Sequence, residues 1–196
     1  MKVGVLGGTF DPIHVGHLAA ARGALACGLD LILVVPSASP PHRAPAHAPV
    51  DDRLEMCRLA ARRLRGVEVS DLEARRGGPS YTLDTLQELR RERPGAELAL
   101  VLGWDAARLI RAWHRPDEIL EVARLLILNR PGLPPARAED LRAAGIDPGQ
   151  ATLCPATTPD VSASRIRERI RQGLPLAGLV PAAVERYIRE RGLYQS

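Results

Sequence analysis

A glycine and histidine segment between two apolar runs constrains this chain most. Residues 7–17 read Gly-Gly-Thr-Phe-Asp-Pro-Ile-His-Val-Gly-His, after the strand-like run 3–6 and before the helix-like run 18–27. Glycines let a phosphate approach the backbone, and a helix N-terminus carries unpaired N–H groups and a partial charge of ~+0.5. His14 and His17, three residues apart, can share one side of the first helical turn. The segment predicts a polyphosphate pocket with donors directed at the reacting group.

Short apolar runs alternate with helical patterns along the chain. Strands are predicted at 3–6, 31–35, 67–69, 98–102, 125–128 and 151–153, and helices at 15–26, 51–64, 80–91, from 105, from 116, 139–144, 162–173 and 181–191. Asp51 or Asp52, Ser80 and Ser162 are the predicted helix caps. This alternation predicts an α/β fold, a doubly wound parallel sheet with helices on both faces. Ligands in such sheets bind beyond the carboxyl ends of the strands, where the strand order reverses.

Length and composition narrow the class of protein. The 196 residues fit one domain, residues 1–196, with a C-terminal helical part from about 160. No apolar stretch approaches the ~20 residues that span a bilayer. The first apolar run is too short for a signal-peptide core, so we expect a cytoplasmic location. Cys27, Cys57 and Cys154 form no CxxC pair, and we expect buried or neutral thiols in a reducing compartment.

The net charge of +4 does not predict a nucleic-acid partner. The basic residues are spread along the chain, and aromatic residues make up only 3% of it. A nucleic-acid module would concentrate its charge and interleave aromatic residues.

Other glycine and histidine motifs fit the first segment less well. Its glycines have the wrong spacing for GxGxxG, and the P-loop pattern is absent. HExxH is also absent and no third ligand lies nearby, so we predict no metal site on the protein. A purely structural role for either histidine stays open at this point.

Six further matches in order give the chain a family resemblance. They are Pro40-Pro41-His42-Arg43, residues 79–86 (Pro-Ser-Tyr-Thr-Leu-Asp-Thr-Leu), residues 102–105 (Leu-Gly-Trp-Asp), Trp113, residues 129–132 (Asn-Arg-Pro-Gly) and residues 162–167 (Ser-Ala-Ser-Arg-Ile-Arg). With residues 7–17 they resemble the nucleotidyltransferase superfamily that carries (H/T)xGH, and within it the bacterial nicotinate mononucleotide adenylyltransferases. The resemblance implies a Rossmann-like fold and transfer of AMP from ATP to nicotinate mononucleotide, giving deamido-NAD and pyrophosphate.

The resemblance and the chemistry together assign the ATP site. We expect His14, His17 and Arg167 to be catalytic, because nucleotidyl transfer needs donors that neutralise charge on departing pyrophosphate. Direct in-line displacement needs no nucleophile from the protein. Mg²⁺ is expected with ATP, held mainly by phosphates and water. The other expected ATP-binding residues are Gly7, Gly8, Thr9, Phe10, Gly103, Asp105, Ser162 and Ser164.

A second group of residues is expected to bind nicotinate mononucleotide. Trp113 would stack on the pyridine ring, and backbone N–H groups near Tyr81 and Thr82 would suit the nicotinate carboxylate. Ser80 and the loop residues His42 and Arg43 complete the set. His114 stands where the family often has tyrosine, and Trp104 is expected to be a packing variation.

Three other functions remain open from the sequence. The first is adenylyl transfer to another phosphate acceptor, such as phosphopantetheine. The second is a non-catalytic nucleotide-binding regulator on the same fold. The third, suggested only by the pI of 9.4, is nucleic-acid binding. The sequence does not decide between a monomer and a homo-oligomer.

Overall fold

The sheet confirms the predicted architecture. The computed structural model describes residues 1–39, 44–129 and 135–195. Its strands are β1 (Lys2–Gly8), β2 (Leu31–Pro36), β3 (Val67–Val69), β4 (Glu97–Gly103), β5 (Arg124–Asn129) and β6 (Ala151–Thr157). They form one six-stranded sheet in the order β3-β2-β1-β4-β5-β6, and every pairing is parallel. The order reverses between β1 and β4, which places the expected ligand site at their carboxyl ends.

Helices cover both faces of this sheet. They are α1 (Val15–Ala26), α2 (Val50–Ala61), α3 (Leu72–Arg76), α4 (Thr82–Glu92), α5 (Trp104–Ala107), α6 (Pro116–Val122), α7 (Ala138–Ala143), α8 (Ala163–Arg171) and α9 (Ala182–Glu190). Short 3₁₀ turns lie at Ile110–Ala112 and Pro148–Gln150. The helix over 15–26 begins and ends where the sequence predicts, whereas the five-residue α3 was not predicted. No helix in the described ranges is long and apolar enough to cross a bilayer.

Alternating strand side chains build two hydrophobic cores. In β2, Ile32 and Val34 face a core that includes residues of α1, α2, α8 and α9. Leu31, Leu33 and Val35 face a second core that includes residues of α4 and α6. All five side chains are at most 8% exposed. This two-residue period with burial on both faces is the property of a parallel sheet under helices, and it explains the continuous apolar run.

The cap at Ser162 is confirmed, and the predicted caps of α2 are wrong. Ser162 Oγ accepts a hydrogen bond from the Arg165 N–H at 3.3 Å. Helix α2 instead starts after Pro49, so Asp51 and Asp52 lie in its first turn. The buried Asp52 carboxylate accepts from the Tyr187 hydroxyl of α9 at 2.7 Å, a contact between distant residues.

Ser80 also has a different role from the predicted helix cap. Tyr81 is the N-cap residue of α4. The Ser80 hydroxyl accepts from the backbone N–H groups of Ala38 and Ser39 at 3.0 and 3.2 Å. Ser80 therefore holds the segment after β2 against the start of α4, which a local sequence pattern cannot show.

The expectation of buried or neutral thiols is confirmed for Cys57 and is wrong for Cys27 and Cys154. Cys27, at the end of α1, forms a disulfide with Cys154 of β6, 127 residues further along the chain. Cys57 stays free and buried, and burial raises the pKa of its thiol. The pairing follows from the packing of α1 against β6, where Gly23 closely approaches Ala156, and sequence spacing gives no sign of this packing. The cysteines no longer support a reducing compartment.

We predict that one of the three thiols reacts with a thiol reagent in denaturant before reduction, and all three react afterwards. Reduction should also lower the free energy of unfolding by about 2–5 kcal/mol, because the bridge closes a long loop. Denaturant titration with and without reductant measures this loss. In the absence of reductant, the Cys27→Ala variant should have the same free energy of unfolding as the reduced wild type. Three reactive thiols in the wild type before reduction would contradict the pairing.

Candidate active site

A cavity lies at the carboxyl ends of β1, β2 and β4, at the predicted reversal of strand order. Its volume is about 240 Å³. Seven residues predicted for the site line it, namely Gly7, Gly8, Thr9, Ser80, Tyr81, Thr82 and Trp113. The structure therefore brings the glycine turn and the acceptor segment into one space, although they are about seventy residues apart in sequence. The predictions for His42 and Arg43 lie outside the described residues, as does the 130–132 turn.

Three aromatic side chains line this cavity, those of Tyr81, Trp113 and His114. Trp113 ends the 3₁₀ turn Ile110–Ala112 and is partly buried against the core. The rings of Tyr81 and His114 pack together, with centroids 4.4 Å apart and planes inclined by 34°. His114 belongs to the cavity wall, although the sequence left its role open. Together these side chains can contact a planar ring, because aromatic pairs favour offset and tilted packing.

The start of α4 faces the same cavity. Tyr81 is the N-cap and Thr82 the first helical residue, and both line the space. The first N–H groups of a helix have no partner within the helix, and they carry its partial positive charge. This end of α4 can therefore receive a carboxylate.

The two motif histidines stack at the first turn of α1. Their ring centroids are 3.7 Å apart with planes inclined by 19°. The His14 backbone N–H donates to Nδ1 of His17 at 3.3 Å. A neutral His17 that accepts at Nδ1 must carry its proton on Nε2. His17 can therefore offer an Nε2–H donor to a ligand.

Burial keeps both imidazoles neutral near pH 7. Desolvation lowers the pKa of His14 to about 4. It also lowers the pKa of His17 well below 6.5, and a charge on His14 would lower it further. The histidines act as neutral hydrogen-bond donors in the resting protein, and they carry no fixed positive charge.

Close packing explains two other motif residues. A methyl group on Gly16 would lie 3.0 Å from Nδ1 of His14 and 3.5 Å from the Pro159 carbonyl oxygen. The Phe10 ring is only 2% exposed and meets the His17 ring edge-on at 4.8 Å. The Phe10 side chain therefore supports His17 from the core.

Asp11 is a buried charge that sequence reasoning did not single out. Its carboxylate accepts from the Tyr194 hydroxyl at 2.8 Å and from the backbone N–H groups of His47 and Ala48 at 2.7 and 3.1 Å. Burial alone would raise its pKa, but these hydrogen bonds and the charge of Arg167 hold the pKa of Asp11 below its usual value. Tyr194 is 183 residues away in sequence, so no local motif could predict this contact.

Arg53 is a second buried charge that supports the glycine turn. Its side chain is 1% exposed, and its Nη1 donates to the Thr9 carbonyl oxygen at 2.7 Å. Burial lowers the pKa of Arg53, and Asp11 and other anionic groups oppose that shift. A guanidinium remains charged at any physiological pH, so Arg53 adds a fixed positive charge behind the turn.

Arg167 connects α8 to the histidine motif. Its Nη1 donates to the Asp11 carbonyl oxygen at 2.7 Å and lies 3.9 Å from the Asp11 carboxylate. Asp11 is three residues before His14, so the predicted neighbourhood of the two segments is present in the structure. Ser162 caps α8, and Ser164 lies exposed in its first turn.

Other predicted residues lie at the edges of this region. Gly103 ends β4 and is exposed, with Asp105 in the short helix α5 that follows. Asp105 lies 3.9 Å from Arg108. The partly buried Trp104 packs against the core on the α4 side of the sheet. No group of three or more His, Cys, Asp or Glu side chains in the described residues could hold a metal ion.

The lowered pKa values predict acid-sensitive stability. In the unfolded chain a histidine becomes protonated below pH 6.5, whereas His14 in the folded protein stays neutral down to about pH 4. The free energy of unfolding should therefore fall as the pH drops from 6.5 to 4, by about 1.4 kcal/mol per pH unit for each buried histidine. NMR titration of the ring nitrogens checks the cause. A His14 midpoint near 6.5, or a stability slope unchanged in His14→Gln, would contradict it.

Comparison with known proteins agrees with this geometry. The cytidylyltransferase-like family model matches residues 5–169. A probable nicotinate-nucleotide adenylyltransferase of Pseudomonas syringae pv. tomato is 42% identical, with 100% of this chain and 94% of that protein covered. A protein of the same name from Thermus thermophilus is 41% identical, with both chains fully covered.

A solved structure shows the same fold at lower identity. Nicotinic acid mononucleotide adenylyltransferase of Plasmodium falciparum, complexed with NaAD, matches with a TM-score of 0.81 at 18% identity. The match covers 98% of this chain and 97% of that one. The fold, the motif geometry and the full-length similarity lead to one conclusion: the chain belongs to the nicotinate-nucleotide adenylyltransferase family.

Proposed function

We propose that this chain transfers the adenylyl group of ATP to nicotinate mononucleotide, forming deamido-NAD and pyrophosphate. Its family supports this reaction, and so does the cavity with aromatic walls beside the histidine motif. The observation that carries the proposal is the 2.7 Å hydrogen bond from Arg167 to the Asp11 carbonyl. It brings the α8 guanidinium to the turn that precedes His14 and His17.

The residues fit a direct in-line displacement. A 5′-phosphate oxygen of nicotinate mononucleotide would attack the α-phosphorus of ATP. The bond from that phosphorus to the bridging oxygen of the β-phosphate would break, and pyrophosphate would leave with the electron pair. The attacking oxygen is already an anion, so no protein base is required. The Nε2–H of His17 and the Arg167 guanidinium would donate to oxygens that gain negative charge.

The backbone can add donors only where its N–H groups are free. The Val15 N–H at the start of α1 donates to the Leu179 carbonyl oxygen at 2.9 Å, and so it is not available to a phosphate. Side chains must therefore contribute more at this helix end than the motif alone implies. We assign the remaining phosphate and ribose contacts to Gly7, Gly8, Thr9 and the Phe10 backbone, and to Gly103, Asp105, Ser162, Ser164 and His14.

Enzymes of this kind generally use a divalent metal ion. We propose Mg²⁺, which would enter as part of the ATP complex and be held by phosphates and water. The Asp11 carboxylate is already occupied by hydrogen bonds from the Tyr194 hydroxyl and from the backbone N–H groups of His47 and Ala48, so the phosphates would supply the negative charge that the ion requires.

The acceptor would lie in the cavity. Its pyridine ring would contact Trp113, and its carboxylate would accept hydrogen bonds from backbone N–H groups at Tyr81 and Thr82. The acid form of the nucleotide would therefore be preferred over the amide. Ser80 would contribute by fixing this segment against Ala38 and Ser39. Roles for His42 and Arg43 and a cytoplasmic location remain predictions.

The test of this function is pyrophosphate release from ATP with a panel of acceptors. We expect turnover with nicotinate mononucleotide, less with nicotinamide mononucleotide, and none with phosphopantetheine. Equal rates with acid and amide would remove the argument for a carboxylate site at α4. Turnover only with phosphopantetheine, or nucleotide binding without turnover, would overturn the proposal.

The two tryptophans provide a matched test of the ring site. Trp113→Ala should weaken binding of nicotinate mononucleotide by about 1–3 kcal/mol, if stacking is worth what it is for nucleobases. Trp104→Ala removes an equally large ring outside the cavity and should leave KM for the acceptor unchanged. Steady-state KM values and calorimetric Kd values decide this. Equal effects of the two variants would place Trp113 in the core.

A further inference from the structure

Buried polar atoms without partners identify a second pair of residues in the site. Among the described residues, four such side-chain atoms are present: His14 Nδ1, Arg167 Nε, Ser37 Oγ and Glu73 Oε2. Nearly all buried polar groups in proteins find a hydrogen-bond partner, so each exception calls for an explanation. His14 and Arg167 belong to the proposed ATP site. Ser37 and Glu73 both line the cavity at the carboxyl ends of β1, β2 and β4, although no sequence motif included either residue.

Glu73 reaches the cavity from α3, and half of its carboxylate is already used. Its side chain is 7% exposed, and Oε1 accepts from the Thr85 hydroxyl at 2.6 Å. Thr85 in turn accepts from Nη2 of Arg76 at 3.2 Å, while Nη1 of Arg76 donates to Glu88. This network fixes the carboxylate in place but leaves Oε2 free. An unpaired carboxylate oxygen is costly inside a protein, so a partner is expected when the cavity is filled.

Ser37 approaches the same cavity from the end of β2. Its backbone N–H donates to the Gly8 carbonyl oxygen at 2.8 Å, which fixes the residue beside the glycine turn. Its side chain is 8% exposed and its hydroxyl has no partner among the described residues. A hydroxyl can both donate and accept, whereas an ionised carboxylate only accepts.

The chemistry of nicotinate mononucleotide limits which of its groups can form hydrogen bonds with Glu73 Oε2 and Ser37 Oγ. Near pH 8 the phosphate of nicotinate mononucleotide has lost its protons, since its last pKa is ~6. The pyridine carboxylate is also ionised, and the ring nitrogen carries no hydrogen. The 2′- and 3′-hydroxyls of the ribose are then the only hydrogen-bond donors on the molecule.

We infer that Glu73 and Ser37 bind the ribose diol of the acceptor nucleotide, with Glu73 Oε2 accepting a hydrogen bond from one hydroxyl. The inference rests on the proposed function, because it takes nicotinate mononucleotide as the occupant of the cavity. It assigns ribose recognition to two residues outside every motif singled out from the sequence.

The test compares nicotinate mononucleotide with its 2′-deoxy and 3′-deoxy analogues at pH 8 and saturating ATP. The wild type should lose about 10-fold to 100-fold in kcat/KM with one analogue, the usual value of a hydrogen bond to a charged group. Glu73→Gln keeps an oxygen for Thr85 but replaces the free acceptor by an amide. This variant should lose a similar factor with the natural substrate and discriminate little against that analogue.

Two control variants separate ribose binding from structural support. Glu88→Gln disturbs the same arginine from outside the cavity and should keep the wild-type ratio between substrates. Ser37→Ala should bring kcat/KM for nicotinate mononucleotide closer to that for at least one deoxy analogue. Ser70→Ala, directly after β3, should leave this ratio unchanged. Melting temperatures of all four variants report on folding, and Ser37→Ala decides the question if Glu73→Gln does not fold.

The outcomes distinguish this inference from the function on which it rests. If the wild type does not use nicotinate mononucleotide, the proposed function fails. If it does, but Glu73→Gln and Ser37→Ala lower kcat/KM equally for all three substrates, these residues only support the fold and the inference is overturned. Nicotinamide mononucleotide is measured as a fourth substrate. If Glu73→Gln lowers kcat/KM only for this amide, Glu73 contacts the ring substituent and the inference is also overturned.

Discussion

The buried carboxylate of Asp11 is the contact on which the site depends. It lies in the turn after β1, is 4% exposed, and connects four parts of the chain. The segment at 47–48, Arg167 of α8 and Tyr194 near the C-terminus all meet it. A buried charge is tolerated only when its partners are in place, and removing one of them is strongly destabilising. The pairing of the Asp11 carboxylate therefore holds the turn after β1 and the C-terminal part of the chain together.

This arrangement explains how the turn after β1 can present hydrogen-bond donors to a highly charged ligand from largely buried side chains. The histidines are neutral and stacked, and they offer directed N–H donors. The fixed positive charges come from Arg167 and Arg53, which bind carbonyl oxygens of the same turn. Preorganised donors of this kind need little rearrangement as charge builds on a leaving group, and this is the main source of catalysis in nucleotidyl transfer.

Local patterns predicted the parallel sheet, most of its helices and the residues of the glycine turn, because each depends on neighbours a few positions away. The strand predicted at 31–35 and the helix over 15–26 are examples. Contacts between distant segments were not predictable in this way. The Cys27–Cys154 bridge, the Tyr194 contact to Asp11 and the position of Glu73 arise from packing between segments far apart in sequence. Ser80 shows the same limit, since its hydroxyl binds the segment after β2 instead of its own helix.

We propose that side chains at the starts of α1 and α8 bind the same triphosphate. A crystal structure with a non-hydrolysable ATP analogue tests it most directly. We expect Nε2 of His17 and the guanidinium of Arg167 both to lie within hydrogen-bond distance of phosphate oxygens on one bound molecule. Phosphates that contact only one of these side chains, or that lie away from the turn at Asp11, would contradict it.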